Sequence, residues 1–567
     1  MNLSWSRIWF IMSLLLSSAT INIYAEKTII IPPFRGDATK RIQLIIDSLD
    51  KKFNDYPVTL QFSKGAIYNI SRKESLTLPY FISNTTSIEE NPDPTKHIGI
   101  YCKNLRNVTL DGNGAKLVTH GEMTSFVMDS CENITFKNFS LTAADPSVPE
   151  IKILEKDSNS FIFEVIPPSE FVVTDNKFYF RGEDWVFGDG GFLTNLPQYA
   201  QVFYPEKNVT LRCPYPLKNY KEVERIGERK VKMKFDKVPD VNPGEIYQLR
   251  HGIRNEATGF INRSKNICLE NIDFNFLGNF GIVGQFSENL TYDNIRCQPD
   301  PESERTNAGF ADFVQMSSCK GKIIIKNSKF EGSHDDPINI HGTYLRLIDK
   351  DSVENLTIRY SHPQTYGFNP FAAGDEIEII DRHTLNPLDT ISRHVVGIKK
   401  IDDYNYKMQL DKELPDLPDG YNYEDLAIEN ITWTPEVEIC NNYFARTPTR
   451  GVLLTTRRKS LIENNIFFRI PMAAILISDD ASKWWESGPV KDLTIRRNTF
   501  IECSNPVISI SPEIEKFDQS VHKNILIEGN RFIGASDNFL KISGTDNVTI
   551  RNNIFEKGNE ISFNLHL

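Results

Sequence analysis

The chain has 567 residues, a formal net charge of −11 and 11% aromatic side chains. That length exceeds one ordinary globular core, so several domains or a repetitive architecture must accommodate it. The acidic balance, with basic residues clustered only in short pieces such as Arg457, Arg458 and Lys459, argues against nucleic acid, which needs a basic stripe to release counterions.

At the start, Arg7 precedes the apolar run Ile8 to Leu16, and the small-residue stretch Ser17 to Ala25 ends before Glu26 and Lys27. This reads as a signal peptide over 1–25, with export to the periplasm or beyond the cell. The apolar run is too short to span a bilayer, and no cysteine follows the cleavage point to carry a lipid. Residues 26–140 are expected to hold a cap and the first rungs. Asp37 is placed as an N-cap, and Ile42, Ile45, Ile46 and Leu49 recur at helical spacing on one apolar face that can cover an open sheet edge. VTLQF from Val58 and KGAIYNI from Lys64 then open the first rung.

One pattern recurs along the rest of the chain: alternating apolar and polar residues, an Asn, any residue, then an apolar or aromatic one. Copies include NITFKNFSL from Asn133, NICLENIDF from Asn266, NLTYDNIRC from Asn289, SLIENNIFF from Ser460 and VTIRNNIF from Val548. The central Asn marks Asn271, Asn294, Asn327, Asn442, Asn465, Asn498, Asn530 and Asn553, at spacings of 23, 33, 115, 23, 33, 32 and 23. Period-two strands broken by an Asn that tolerates a left-handed backbone, repeating every 20–30 residues or so, predict the stacked rungs of a parallel β-helix. The marker Asn residues are therefore turn and ladder residues. Two stretches, 141–260 and 345–435, break the rhythm and are too long for structureless loops. Their alternating runs, such as SFIFEV, KVKMKF, DEIEII and YKMQL, predict small antiparallel barrels or sandwiches. The fold class expected is thus all-β: a right-handed parallel β-helix with two inserted antiparallel β-barrel-like domains, central rungs over 261–344 and C-terminal rungs over 436–567.

The eight cysteines, Cys102, Cys131, Cys213, Cys268, Cys297, Cys319, Cys440 and Cys503, show no metal-ligand spacing. Most lie in strand repeats, where a buried free thiol fits better than a disulfide. No cofactor or metal is called for.

The segment GFADFVQMSSCKGKIIIKNSKFEGSHDDPINIHG, from Gly309 to Gly342, gathers acids, amides and imidazoles. Asp312 stands two residues before Val314-Gln315-Met316-Ser317, and Asp336 two before Ile338-Asn339-Ile340-His341. With Val314, Met316, Ile338 and Ile340 inward, Asp312 and Asp336 take one turn position on neighbouring rungs. Gln315, Asn339, Ser317 and His341 are then expected to face solvent beside them. Rungs stack about 4.8 Å apart, so such carboxyls can share a substrate. Neighbouring carboxylates do not easily ionise together, so one is expected to keep a proton to donate, an effect that the adjacent Asp335 reinforces. Simple turn capping or calcium binding is the alternative for the acids. Arg450 holds the equivalent turn position after the second insertion and is placed to bind a sugar hydroxyl or pair with a carboxylate. Arg254, in HGIRNEATGF, is a further, weaker substrate-binding candidate, and Trp484 and Trp485 are candidates to stack on a sugar face, with ordinary loop packing the more expected role.

The run from Ala311-Asp312 to His334-Asp335-Asp336-Pro337-Ile338-Asn339-Ile340-His341-Gly342 resembles glycoside hydrolase family 110, the exo-acting α-1,3-galactosidases, and the resemblance extends over most of the chain. It implies inverting hydrolysis of a terminal α-linked galactose on an oligosaccharide or glycoconjugate, as in the blood group B determinant. By position it assigns Asp312 as general acid and Asp335 with Asp336 as the base pair. A polygalacturonase-like pectin hydrolase is the rival enzyme, but its Arg-Ile-Lys motif is missing and an acidic chain suits a polyanion poorly. A non-catalytic carbohydrate-binding β-helix is the rival outside enzymes.

Overall fold

The computed structural model describes residues 27–50, 56–188, 198–350, 355–535 and 538–557. The signal peptide expected over 1–25 lies outside them.

Each rung is one pass of a coil. A strand such as Lys265–Phe274 lies parallel to Glu288–Cys297, with Ile267 opposite Leu290, Leu269 opposite Tyr292 and Phe274 opposite Cys297. These alternating side chains are all buried, because period-two apolar residues point to one side of a strand. Asn271 and Asn294, at φ 52°, bend the strand so that one segment serves two walls. A second parallel sheet closes the coil. It runs through Gly259–Asn262, Ile282–Gln285, Val314–Ser317, the start of Ile338–Lys350, Val452–Leu454, Ile475–Ile477 and Ile508–Ile510.

The Asn marker divides into two columns. Asn271, Asn294 and Asn327 take the left-handed bend themselves, whereas in the later rungs the residue before the marker does so: Asn441, Asn464, Arg497, Gly529 and Asn552. Asn442, Asn465, Asn498 and Asn530 turn inward instead. The backbone N–H of each donates to the Oδ1 of the next Asn at 2.9–3.0 Å, ending on Asn553. Their side-chain amides also donate to the carbonyls of Ile325, Ile439, Ile462 and Ile495. This ladder satisfies polar groups that burial would otherwise strand. Beside it, Phe330, Phe444, Phe467, Phe500 and Phe532 stack face to face with centroids 4.7–5.2 Å apart, matching the rung repeat.

The helix Thr39–Asp50 covers one end, with Ile42, Ile46 and Leu49 buried against the first rungs. Asp37 accepts from the Thr39 N–H at 2.8 Å. Gln43 bonds both backbone groups of Tyr101, each at 2.9 Å, and so occupies strand-edge groups that would otherwise template pairing with another chain.

The two insertions differ. In the first, the strands Glu150–Lys156, Ser160–Val165, Gln198–Tyr204, Val209–Cys213, Tyr220–Arg225, Lys230–Phe235 and Ile246–His251 form an open antiparallel sheet. The three strands between Glu170 and Gly188 form a smaller sheet. The two share a core around Phe163, Phe178, Phe180, Trp185 and Leu249. Of the barrel or sandwich expected here, this insertion takes the layered form, because the outer strands Val209–Cys213 and Tyr220–Arg225 each pair on one side only among the described residues. The second insertion does close. Leu345 to Lys350, Asn355–Tyr360, Asn405–Leu410, Arg393–Lys400, Glu376–Asp381 and Leu426–Asn430 pair in a ring that returns to its first strand. One strand, Ile338–Lys350, begins as a rung and ends as a barrel stave.

All eight cysteines are free thiols. No helix among the described residues is long and apolar enough to cross a membrane.

Candidate active site

Val314, Ile338 and Val452 are in register on three successive rungs. The residues two positions earlier, Asp312, Asp336 and Arg450, therefore form a column at the corner where the two sheets meet. Close rung approach makes this possible: a Cβ on Gly281 would lie 2.3 Å from the Asp312 carbonyl oxygen, so only glycine fits beneath that turn. Arg450 donates to both oxygens of Asp336, from its backbone N at 3.1 Å and from Nη1 at 3.0 Å. Asp312 is buried, and burial, then the charges of Asp335 and Asp336, push its carboxyl well above the ordinary range. Asp335 is the most open of the three. Its side chain is 26% exposed against 4% for Asp336, and it accepts from Arg212 Nη2 at 3.0 Å.

The turn that carries Asp335 is held from outside by the first insertion. Gln201 Nε2 donates to the Ser333 carbonyl at 2.9 Å, Arg250 Nε donates to His334 Nδ1 at 3.3 Å, and Arg212 meets Asp335. Burial lowers Arg250 to about 10 and keeps His334 well below the usual imidazole range, so His334 is a neutral acceptor. Three consecutive residues of the turn thus each have one side-chain partner on the inserted sheet.

The column opens into a cavity of about 270 Å³, lined by the three aspartates, Arg254, Asn339, Arg450, Glu486 and Trp484, among others. That is just below the range of roughly 300–1,000 Å³ typical of pockets for drug-sized ligands. Arg254 lies over the Phe280 ring at 5.0 Å and donates to Gln364 at 2.6 Å. Among the described residues, no group of His, Cys, Asp and Glu is arranged to hold a metal ion.

Residues 355–417 match the family model described as GLAA-B beta-barrel domain II, and 422–555 match the right handed beta helix region. The chain is 43% identical over 98% of its length to alpha-1,3-galactosidase A of Bacteroides thetaiotaomicron, covering 95% of that protein. It is 38% identical to the Streptomyces avermitilis alpha-1,3-galactosidase A, over 88% of this chain and 82% of that one. The chain belongs to glycoside hydrolase family 110, the α-1,3-galactosidases. Alpha-1,3-galactosidase B of Parabacteroides distasonis is 30% identical over 89% of this chain and 82% of its own.

Within this family 110 site, two expectations need correction. Gln315, Ser317, Asn339 and His341 do point away from the helix core, yet all four are buried. Glu486–Ser487 pairs antiparallel with Gly342–Thr343 and lies over them, and Gly342 leaves room for the Ser487 hydroxyl, whose Oγ a Cβ there would meet at 2.3 Å and displace. Asn339 still lines the cavity. Gln315 and His341 stand behind it: Gln315 Nε2 donates to His341 Nε2 at 3.0 Å, and His341 Nδ1 donates to the Gly342 carbonyl at 2.7 Å. The tryptophan pair also splits. Trp484 is 52% exposed at the rim and stacks on His362 at 4.9 Å, whereas Trp485 is buried and cannot meet a sugar.

Sequence reasoning missed Glu486, which accepts from Asn84 Nδ2 at 3.4 Å and Asn339 Nδ2 at 3.3 Å and closes the wall facing the aspartates. It also missed Arg212. Neither sits in a repeat or motif that singles it out.

Proposed function

We propose that this chain is an exo-acting glycoside hydrolase that removes terminal α-1,3-linked galactose from oligosaccharides, blood group B type or linear, with inversion at the anomeric carbon. The observation that carries this reading is the cluster of Asp312, Asp335 and Asp336 on one small cavity walled by side chains able to bond sugar hydroxyls. Exo action is read from the family's activity, and a small cavity of about 270 Å³ suits a single terminal sugar.

Asp312 holds a proton that it can give to the leaving oxygen. Asp336, set by two donors from Arg450, is oriented to draw a proton from an attacking water. Inversion requires room for that water, with acid and base carboxyls about 6.5–9.5 Å apart. The inverting outcome rests on family membership. One observation favours a second assignment of the proton: Asp335 is the carboxyl nearest solvent, where an aglycone leaves, so it can serve as acid while Asp312 and Asp336 share the base role. The apolar run Ile8 to Leu16 supports export across the inner membrane.

The test measures galactose release from an α-1,3-galactosyl disaccharide and from the fucose-branched trisaccharide, for wild type and for Asp312→Asn, Asp335→Asn and Asp336→Asn. Proton NMR of the first-formed galactose reads the anomer. The variant that loses activity on glycans but keeps it on an aryl galactoside with an activated leaving group lacks the acid. Full activity in all three variants would defeat the site.

A further inference from the structure

The first insertion does more than wall the site. Its strands Gln198–Tyr204, Val209–Cys213 and Ile246–His251 turn Ala200, Val202 and Leu249 into the domain's own core. The opposite face carries Tyr199, Gln201, Arg212, Gln248 and Arg250, with Tyr199 opposite Arg250, and Gln201 opposite both Gln248 and Arg212. The inner part of this face is buried against the Ser333–Asp335 turn, while its outer end is open: Tyr199 is 47% exposed and the Arg212 side chain 57%.

Past Arg212 the edge of the sheet opens into a groove of about 820 Å³, lined by Tyr199, Tyr215, Lys218, Lys221 and Lys237 among others. Arg212 belongs to this groove and also bonds Asp335, so the groove begins where the catalytic cavity ends. Its charge runs against that of the chain. Four cations face one carboxylate, Asp236, which pairs with Lys221 at 2.9 Å. Tyr199 is braced from one side by the Arg250 guanidinium at 4.6 Å, leaving an exposed aromatic surface of the kind that packs on sugar rings.

We propose that this groove binds the remainder of the glycan, beyond the scissile bond, and that it favours chains bearing anionic substituents, sulfate esters or carboxylates. The inference rests on the exo-galactosidase reading above. A cavity that holds one sugar must send the rest of the chain out past its most exposed carboxyl, and Arg212 marks that exit. Lysines spread along the groove then meet negative charge on the departing chain, and binding energy gained there serves the reaction at the cavity.

The experiment compares kcat/KM for three substrates: the α-1,3-galactosyl disaccharide, a neutral α-1,3-galactosyl-capped tetrasaccharide, and the same tetrasaccharide carrying sulfate on the inner sugars. Wild type is set against Lys218→Ala/Lys237→Ala, two exposed changes outside the catalytic cavity. Wild type is expected to prefer the sulfated tetrasaccharide over the neutral one by about tenfold at low salt, with the preference disappearing at high salt. The double variant is expected to lose that preference while keeping wild-type activity on the disaccharide. Equal rates on sulfated and neutral chains in wild type, or a preference that survives in the variant, would overturn the proposal. A wild type inactive on the disaccharide would instead overturn the galactosidase reading.

Discussion

Replacing Arg450 by Met keeps the side-chain stem and the backbone donor but deletes the guanidinium that meets Asp336. Two donors reach that carboxylate, at 3.1 Å and 3.0 Å, and only the backbone one survives. Removing one partner of a buried ion pair costs about 3–5 kcal/mol. The remaining N–H, a hydrogen bond to a charged group worth about 1.5–3 kcal/mol, and the 28% exposure of the Arg450 side chain hold the loss to about 2–3 kcal/mol. The kinetic effect is more telling. With the Nη1 donor gone, the Asp336 carboxylate keeps one of its two fixed bonds and can swing out of the position in which it meets the attacking water, so kcat/KM is expected to fall by about a hundredfold. The assay is galactose release from the disaccharide between pH 4 and 9, with urea unfolding in parallel. Arg450→Lys, which keeps a charged donor on this side of Asp336, is expected to recover part of the rate. An Arg450→Met variant that is folded and as fast as wild type would show that the guanidinium does not hold Asp336 for catalysis.

The raised Asp312 carboxyl predicts a stability signature. Because the folded state binds its proton more tightly than the unfolded state, stability falls as pH rises from the ordinary carboxyl value near 3.8 toward the folded one. Asp312→Asn removes that dependence, so thermal melts should show the variant gaining on wild type from pH 4 to pH 8 while its activity falls at least about a hundredfold; a pH-independent difference contradicts the raised carboxyl. Asn465→Ala strands the Asn442 N–H and the Ile439 carbonyl inside the coil, which costs about 2–5 kcal/mol in urea unfolding. Asn441→Gly, in the exposed bend column at φ 59°, should cost under about 1 kcal/mol, and equal losses would refute the distinction between the two columns. Glu486→Ala removes the shared acceptor of Asn84 and Asn339 and should lower kcat/KM on the disaccharide by about tenfold or more with little change in melting temperature, and an unchanged rate would remove Glu486 from the sugar-facing wall.

What could be read from the chain alone follows the range of the forces involved. Rung strands announce themselves because the period-two pattern is local, and the column of Asp312 and Asp336 follows from counting two residues back from aligned strands. The same count placed Arg450 across an insertion of ninety-odd residues, since the rung on either side keeps its register whatever is inserted between. The Asn marker misled by one residue, because Asn serves two ends here: a left-handed bend at Asn294 and Asn327, an inward amide ladder at Asn465 and Asn498. One letter at one spacing does not distinguish backbone strain from side-chain bonding. Exposure was misjudged for a related reason. Gln315 and His341 leave the helix core as the alternation requires, but whether such a face meets water depends on what else folds over it, and Glu486 arrives from well over a hundred residues away.

The same reasoning explains why the walls of the site stayed hidden while its floor did not. Asp312, Asp335 and Asp336 belong to the repeat and inherit its geometry. Asn84, Arg212 and Glu486 belong to connections and an insertion, where no period fixes position and only tertiary packing brings the side chain into place. The rungs can therefore keep the acids in place while wall residues change. On this view, differences in substrate breadth among α-1,3-galactosidases should track residues such as Arg212, Tyr199 and Trp484, with the three aspartates left alone.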